Sequence, residues 1–510
     1  MTDNLYTIFQ SHFPTDTSKT FIETADGRIL SYADLDEISG RFARLLMDSG
    51  VEPGDRVAVQ TEKSPEGVLL YLACLRAGAI YLPLNAAYTA AEVDYFLADA
   101  TPRIMVCSPE RFSEISDIAG KNGGAHVLTL GQAQDGSLIE MSKKLPPFKG
   151  AVPRAGDDIA AILYTSGTTG RSKGAMLSHQ NLAHNGFGLQ KIWAISGDDV
   201  LLHTLPIFHV HGLFVALSPL LLSGGTLLFL DSFKIVDILR LLPRATLFMG
   251  VPTYYTRLLG NPGFTREVCR HMRLFAAGSA PLLPETFHEF ESRTGHRVVE
   301  RYGMTEAGII TSNPLMGERR PGSVGLPLPD VEVRLADGQG NILGPDDIGV
   351  LEIRGPNVFK GYWQMPKKTA AEFRADGFFI TGDISHIEVD GYVSIVGRAK
   401  DLIISGGYNV YPKEIECEID ALADIDESAV IGLPHPDFGE AVTAILVKRP
   451  GGQSWLEVEI IQALKNRLAV YKLPKRVIFV DELPRNTMGK VQKNILRDSY
   501  QALYKSLSHK

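Results

Sequence analysis

Short apolar runs, each handing over to a longer amphipathic stretch, constrain this chain more than any other feature. Arg56-Val57-Ala58-Val59-Gln60 precedes Glu66 to Gly78, and Ala79-Ile80-Tyr81-Leu82-Pro83-Leu84 precedes Ala90 to Ala98. Alternation of strand-length and helix-length segments argues for a doubly wound parallel sheet. Near Ser323 the texture changes to short strands set between Gly, Pro and Asp turns: Val331 to Leu335, Gly349 to Arg354 and Tyr392 to Val396. These read as a small antiparallel sheet or barrel. After Gly397-Arg398-Ala399-Lys400-Asp401 a new alternating pattern runs to the end, long enough for a domain of its own. The expected fold is α/β. A large N-terminal domain over residues 1–399 combines doubly wound sheets with a small β-barrel-like sheet over about 323–397, and a small α+β C-terminal domain covers 400–510.

With 45% hydrophobic and 22% charged residues among 510, the chain has the make-up of a globular protein with more than one core. A net charge of -8 argues against bulk nucleic-acid binding and points to small-molecule partners. Cys74, Cys107, Cys269 and Cys417 form no CxxC pair, so neither zinc nor disulfides are expected, and a reducing cytoplasm fits. The start, MTDNLYTIFQSHF, lacks the basic and then apolar pattern of a leader. Leu201 to Leu230 contains no Lys, Arg, Asp or Glu and is long enough to cross a bilayer. Its His203, His209, His211, Pro206, Pro219 and Gly224-Gly225 favour burial inside protein instead, so no membrane partner is expected.

The segment richest in chemistry is Tyr164 to Gly174, YTSGTTGRSKG, directly after the apolar run Ile159 to Leu163. Glycines let backbone N–H groups approach an anion, hydroxyls donate, and Lys173 adds charge, so a strand feeding this loop suits a polyphosphate. In the P-loop of kinases and GTPases, Gly-Lys-Ser/Thr opens a helix. Here Lys173 follows Ser172 and precedes Gly174, which makes a different grip. Taken alone, such a loop is more often a plain turn. Late in the chain Lys472, Lys475, Arg476, Arg485, Lys490 and Lys493 gather into a basic cluster, fit for a phosphorylated ligand or for a solvated surface.

Five further segments follow in order: Gly278-Ser279-Ala280-Pro281-Leu282, Arg301-Tyr302-Gly303-Met304-Thr305-Glu306, Phe379-Ile380-Thr381-Gly382-Asp383, Gly397 to Asp401 with Gly406-Gly407, and Pro484 to Lys490, PRNTMGK. Together with the Tyr164–Gly174 loop they resemble, over essentially the whole chain, the acyl-adenylate-forming enzymes: acyl-CoA synthetases, luciferase-like enzymes and the adenylation domains of peptide synthetases. Within that family the sequence is most similar to the malonyl-CoA synthetases, on Arg301 before YGMTE, on Thr311-Ser312-Asn313-Pro314 after it, and on PRNTMGKVQK over Pro484 to Lys493.

The resemblance implies a two-step ligation that uses ATP, Mg²⁺ and coenzyme A. It gives the β- and γ-phosphates to Thr165, Ser166, Gly167, Thr168, Thr169, Gly170 and Lys173, with Arg171 toward the substrate. Gly278, Ser279 and Ala280 would border the nucleotide, and Ser279 also the acyl group. Tyr302 would stack on adenine with Gly303 and Met304 beside it, Thr305 would touch the α-phosphate, and Glu306 would help to ligate Mg²⁺. Asp383 would accept the ribose hydroxyls next to Arg398. Lys490 would carry the adenylation step, since a mobile ammonium can bridge a carboxylate and a phosphate that otherwise repel. Lys400 matches the family's hinge, and Gly406 and Gly407 the loop on the CoA side. Acetylation would remove the charge of Lys490, so a protein lysine acetyltransferase and a deacetylase are possible partners.

Arg301 bears on the substrate. Many relatives carry Gly or Gln there, beside a pocket for an aliphatic or aromatic acyl chain. A buried guanidinium without a partner is costly, so an arginine aimed into that pocket implies a second carboxylate on the substrate. Pairing with Glu300 or Glu306 is the competing reading. His209 falls where relatives place a wall of the acyl pocket and could share that carboxylate. A lone histidine in an apolar run is otherwise usually a core residue. The expected reaction joins malonate to CoA through malonyl-adenylate, releasing AMP and pyrophosphate. Methylmalonate, succinate or oxalate, and loading of a carrier protein, remain open alternatives.

Overall fold

The structure is a computed structural model that describes residues 3–165, 172–405, 408–435, 438–451, 455–465, 467–468, 470–486 and 489–504. Two mixed sheets, each mostly parallel, form its larger part. One runs in the order 126–129, 104–107, 56–60, 80–83, 159–165, 173–178. Every neighbouring pair in it is parallel except the last, a hairpin. The other has nine strands, in the order 326–327, 308–312, 299–304, 274–277, 247–250, 200–203, 226–229, 20–24, 29–31. Its central strands are parallel and its edges antiparallel.

The two sheets share one core. The helix Pro65–Arg76 is buried at all twelve positions, with Ser64 capping its first turn and Pro65 at the first helical position. The sequence reads this stretch as amphipathic, but a helix apolar on every face (Val68 to Leu75) is made to be covered on every face. Arg76 at its end is buried too, its Nη1 3.1 Å from Asp36 and its guanidinium over the Tyr6 ring. Leu201 to Leu230 folds into a strand, a π-turn over His211–Val215, the short helix Leu217–Leu221 and a second strand, nearly all of it buried. No helix among the described residues is long and apolar enough to cross a membrane.

Of the two forms expected for the middle segment, the structure shows the antiparallel sheet, in the order 332–336, 348–354, 379–387, 393–398. Leu326–Pro327 instead extends the nine-stranded sheet by pairing with 308–312. The C-terminal part has its own sheet, 408–410, 403–405, 439–448, 425–435, with 476–480 parallel to 439–448. Helices Pro412–Asp420 and Glu457–Leu464 cover one face through Ile415, Ile419, Ile460 and Leu464, and Lys493–Tyr500 covers the other through Leu496. This small α+β unit rests on the large one, where Arg449 pairs with Glu285 at 3.3 Å. Between them the 3₁₀ turn Ala399–Asp401 leaves Lys400 exposed.

Candidate active site

Thr165 and Lys173 face each other across the hairpin of strands 159–165 and 173–178. The residues on either side of the glycine-rich segment thus belong to paired antiparallel strands. Ser166, Gly167, Thr168, Thr169, Gly170 and Arg171 lie outside the described residues, as do Gly406 and Gly407. Lys173 is buried, its ammonium 3.4 Å from Glu372 and 4.1 Å from the centre of the Tyr362 ring. The Tyr362 hydroxyl lies 3.0 Å from Glu306 and 2.7 Å from Glu372. Burial holds the Glu306 carboxyl above the usual carboxylate range. Such a poorly hydrated carboxylate suits a hard divalent cation shared with phosphate oxygens. Tyr362 and Glu372, which tie the lysine to the carboxylate, belong to none of the sequence motifs.

The next group sits where the small antiparallel sheet meets the strand Val299–Met304. Asp383 and Arg398 are register partners on neighbouring strands. Asp383 is 2% exposed, 2.7 Å from Arg398 Nε and 2.5 Å from the Tyr302 hydroxyl, which donates to it. Burial, and then the negative Asp383, drive the Tyr302 phenol well above its usual range. Gly303 has no room for a side chain, because a Cβ there would lie 2.1 Å from the Gly308 carbonyl. Met304 and Thr305 follow, half-buried, at the strand's end.

Lys490 reaches this group from the C-terminal part. Gly489 turns at φ +72°, and its absent Cβ would meet Thr253 Oγ1 at 3.0 Å, so the loop presses on the large domain. The Lys490 amide donates to Asn486 Oδ1 at 2.9 Å. Much of the lysine's surface stays open, yet the groups crowding its ammonium push it down to about 8. Lost hydration is the main cause, and Arg398 and Lys400 add to it against Asp383 and Asp401. Lys493, three residues on, is occupied 2.6 Å from Glu416.

The third group surrounds Arg301, at the carboxyl end of the parallel strands, where open α/β sheets bind ligands. Successive residues of a strand face opposite ways. Glu300 accordingly accepts from the Leu282 amide at 3.2 Å on one side while Arg301 points to the other. Glu306 is engaged by Tyr362, so neither acid neutralises the guanidinium. Arg301 is 4% exposed, and its Nε and Nη2 have no hydrogen-bond partner among the described residues. Burial lowers it to about 10. It lies across Gly278, where a Cβ would come within 2.4 Å of its Cζ and Nη1. Ser279 adopts φ +72°, unusual for a residue with a side chain, and its hydroxyl lies 3.2 Å from His211 Nδ1; Ala280 follows, half-buried. His209 Nδ1 accepts from the His211 amide at 3.1 Å. Burial and the nearby Arg301 push His209 down to about 4 and His211 well below its usual range. Both imidazoles are neutral at pH 7, so Arg301 stands as a fixed cation beside two neutral rings. The sequence singles out His209; the contact of His211 with Ser279 becomes visible only in the fold.

Residues 9–363 match the family of AMP-binding enzymes, and residues 414–490 match the AMP-binding enzyme C-terminal domain. A feruloyl-CoA synthase from Amycolatopsis is 35% identical over 92% of this chain and 94% of its own. A mitochondrial malonate–CoA ligase from Mus musculus is 36% identical over 88% of this chain and 82% of its own. The crystal structure of ATP-bound MatB from Rhodopseudomonas palustris superposes with a TM-score of 0.97 at 54% identity, covering 99% of this chain and 100% of that one. At the same identity and coverage its apo form scores 0.86, so the overall arrangement of this chain is more similar to that of the ATP-bound structure.

Proposed function

Because this chain belongs to the AMP-binding enzyme family, and is an AMP-forming acyl-CoA ligase that uses ATP, Mg²⁺ and coenzyme A, we propose that its acid is malonate. The observation that carries this reading is Arg301, buried beside Gly278 and the two histidines with two nitrogens unpartnered among the described residues. A desolvated guanidinium is costly until a carboxylate meets it, and a planar carboxylate meets it with two hydrogen bonds. The substrate then has one carboxylate to be gripped and a second to be activated. A short diacid can serve both tasks, and methylmalonate differs from malonate by a single methyl, which a pocket discriminates weakly. The feruloyl-CoA synthase relative shows that family membership alone does not choose the acid.

In the first step a carboxylate oxygen of malonate attacks the α-phosphorus of ATP and pyrophosphate leaves. Bound Mg²⁺ would be held by Glu306 and would offset phosphate charge. Lys173 and the segment Thr165 to Gly170 grip the β- and γ-phosphates, with Arg171 beside them. Thr305 meets the α-phosphate. Tyr302 packs on adenine beside Gly278, Ala280, Gly303 and Met304, and Asp383 with Arg398 holds the ribose. Ser279 and His209 line the acyl group next to Arg301. Lys490 draws the two reacting anions together. In the second step the domain beyond Lys400 turns, Lys490 withdraws, and the loop of Gly406 and Gly407 takes its place so that the CoA thiolate reaches the acyl carbon and AMP departs. We place the enzyme in the cytoplasm, where its thiols stay reduced. Acetylation of Lys490 by a lysine acetyltransferase, reversed by a deacetylase, would switch off adenylation; an acetylated preparation that still exchanges pyrophosphate into ATP at the normal rate would refute this.

The direct test supplies ATP, Mg²⁺ and CoA with malonate, methylmalonate, succinate, oxalate, acetate, butyrate and ferulate in turn. Malonate should give the highest kcat/KM, with free malonyl-CoA and AMP as products. Preference for butyrate or ferulate, or acyl transfer to a carrier protein in place of CoA, would overturn the assignment.

A further inference from the structure

The segment Pro206 to Gly212 carries His209 and His211 toward Arg301, yet it is not held from the Arg301 side alone. Its other flank, Pro206 to Phe208, borders a cavity of about 200 Å³ between the ends of the two large sheets, and Lys63 lines the same cavity. Lys63 lies in the connection just past the strand Arg56–Gln60 of the six-stranded sheet and reaches across to the nine-stranded one. Its ammonium donates to the carbonyl of Leu230 at 2.6 Å and to that of His203 at 3.1 Å, and lies 4.4 Å from the centre of the Phe229 ring. It thereby ties together the ends of the adjacent strands Val200–His203 and Thr226–Phe229.

His203 continues the connection. Its ring stacks on Phe229, with centroids 5.7 Å apart and planes 3° apart. Its Nε2–H donates to the Gly212 carbonyl at 2.8 Å, while Nδ1 is buried without a partner. Gly212 closes the turn so tightly that a Cβ would lie 2.1 Å from the Pro206 carbonyl. From there the Leu213 amide donates to the His209 carbonyl at 2.9 Å, and the His211 amide to His209 Nδ1 at 3.1 Å. An unbroken set of contacts thus runs from Lys63 through Phe229, His203 and Gly212 to the two imidazoles beside Arg301.

We propose that Lys63 and His203 are positioning residues for acyl recognition: they fix the turn that sets His209 and His211 against the guanidinium, without themselves touching the acid. This rests on the reading of Arg301 as the grip for a second carboxylate. A residue that merely held the sheets together would change stability, or all kinetic constants alike. A positioning residue changes the affinity for the acid and leaves the nucleotide side alone.

The test compares Lys63→Met and His203→Phe, which keep bulk and stacking but lose the donors, with Lys63→Arg and His203→Gln, which keep a donor. ATP–pyrophosphate exchange is measured with the full-length variants. Lys63→Met and His203→Phe should each raise KM for malonate about tenfold, the size of one lost hydrogen bond involving a charged or buried group. KM for ATP and the exchange rate at saturating malonate should stay within about twofold, too small a change to count as a lost contact. The donor-keeping variants should restore malonate KM. Should Lys63→Met fail to fold, the two His203 variants read the same contact. Unchanged malonate KM in both donor-less variants, or parallel losses in malonate and ATP constants that Lys63→Arg and His203→Gln do not reverse, would overturn the proposal. If Arg301→Met kept its preference for malonate over butyrate, the diacid reading would fall instead, whatever the Lys63 and His203 variants do.

Discussion

Replacing Arg301 by methionine should deprive the enzyme of its diacid while sparing its fold, a combination that an ordinary structural arginine would not produce. Nε and Nη2 are buried and unpartnered, and burial has already lowered the guanidinium to about 10. Each charge-assisted hydrogen bond from these two nitrogens to a carboxylate contributes about 1.5–3 kcal/mol. Losing both removes about 3–6 kcal/mol, and with about 1.4 kcal/mol per decade kcat/KM for malonate falls about 100- to 10,000-fold. Butyrate, which has no second carboxylate, should be turned over as well as before or better, because the cavity becomes apolar. In the ligand-free protein the substitution removes a buried charge that lacks a counterion, so the thermal midpoint should hold or rise. ATP–pyrophosphate exchange across malonate, succinate, acetate and butyrate, with a thermal melt of each protein, reads both halves. Equal losses for malonate and butyrate, together with a lowered midpoint, would refute the reasoning and make Arg301 a structural residue.

Gly278→Ala puts a methyl within 2.4 Å of the Arg301 guanidinium; steady-state kinetics should show malonate KM rising at least about tenfold, the equivalent of about 1.4 kcal/mol, with KM for ATP much less affected. Lys490 is held down to about 8, partly by Lys400, so kcat/KM for pyrophosphate exchange should fall as pH rises through about 8, and Lys400→Gln should move that limb to higher pH; an unmoved limb would show that another group titrates. Burial lifts Glu300 to about 7, so the folded protein keeps a proton that the unfolded chain releases near pH 4.5, and this residue's share of stability is lost as pH rises from there through about 7. Glu300→Gln should therefore stabilise the protein at pH 8, by up to about 3 kcal/mol, and far less at pH 5, as read from urea melts.

Much of the architecture could be read from local patterns. The runs at Arg56–Gln60 and Ile80–Pro83 became parallel strands because period and composition act over a few residues. The helix Pro65–Arg76 departed from its amphipathic reading because the helix Tyr32–Asp48 packs along it and Ile207 and Phe214, more than a hundred residues later, cover it as well. The site shows the same division. Arg301 was legible as a cation in need of a partner, and strand alternation explains why adjacent Glu300 is not that partner. Glu306 is removed from contention by Tyr362, fifty-six positions on, which no local pattern announces. Glu372 beside Lys173 and Lys63 beneath His203 were hidden for the same reason, being joined to their partners across 199 and 140 positions. The small antiparallel sheet was legible in kind, whereas the pairing of Leu326–Pro327 with the large sheet depends on that sheet already being in place.

The central claim is that one fixed cation in the acyl cavity selects a small diacid. A crystal structure of the protein with malonate and a non-hydrolysable ATP analogue tests it most directly. The claim predicts one malonate carboxylate on Arg301, with N–O distances of about 2.7–2.9 Å, and the other facing the α-phosphate. A guanidinium turned away from the ligand and neutralised by a protein carboxylate would contradict it.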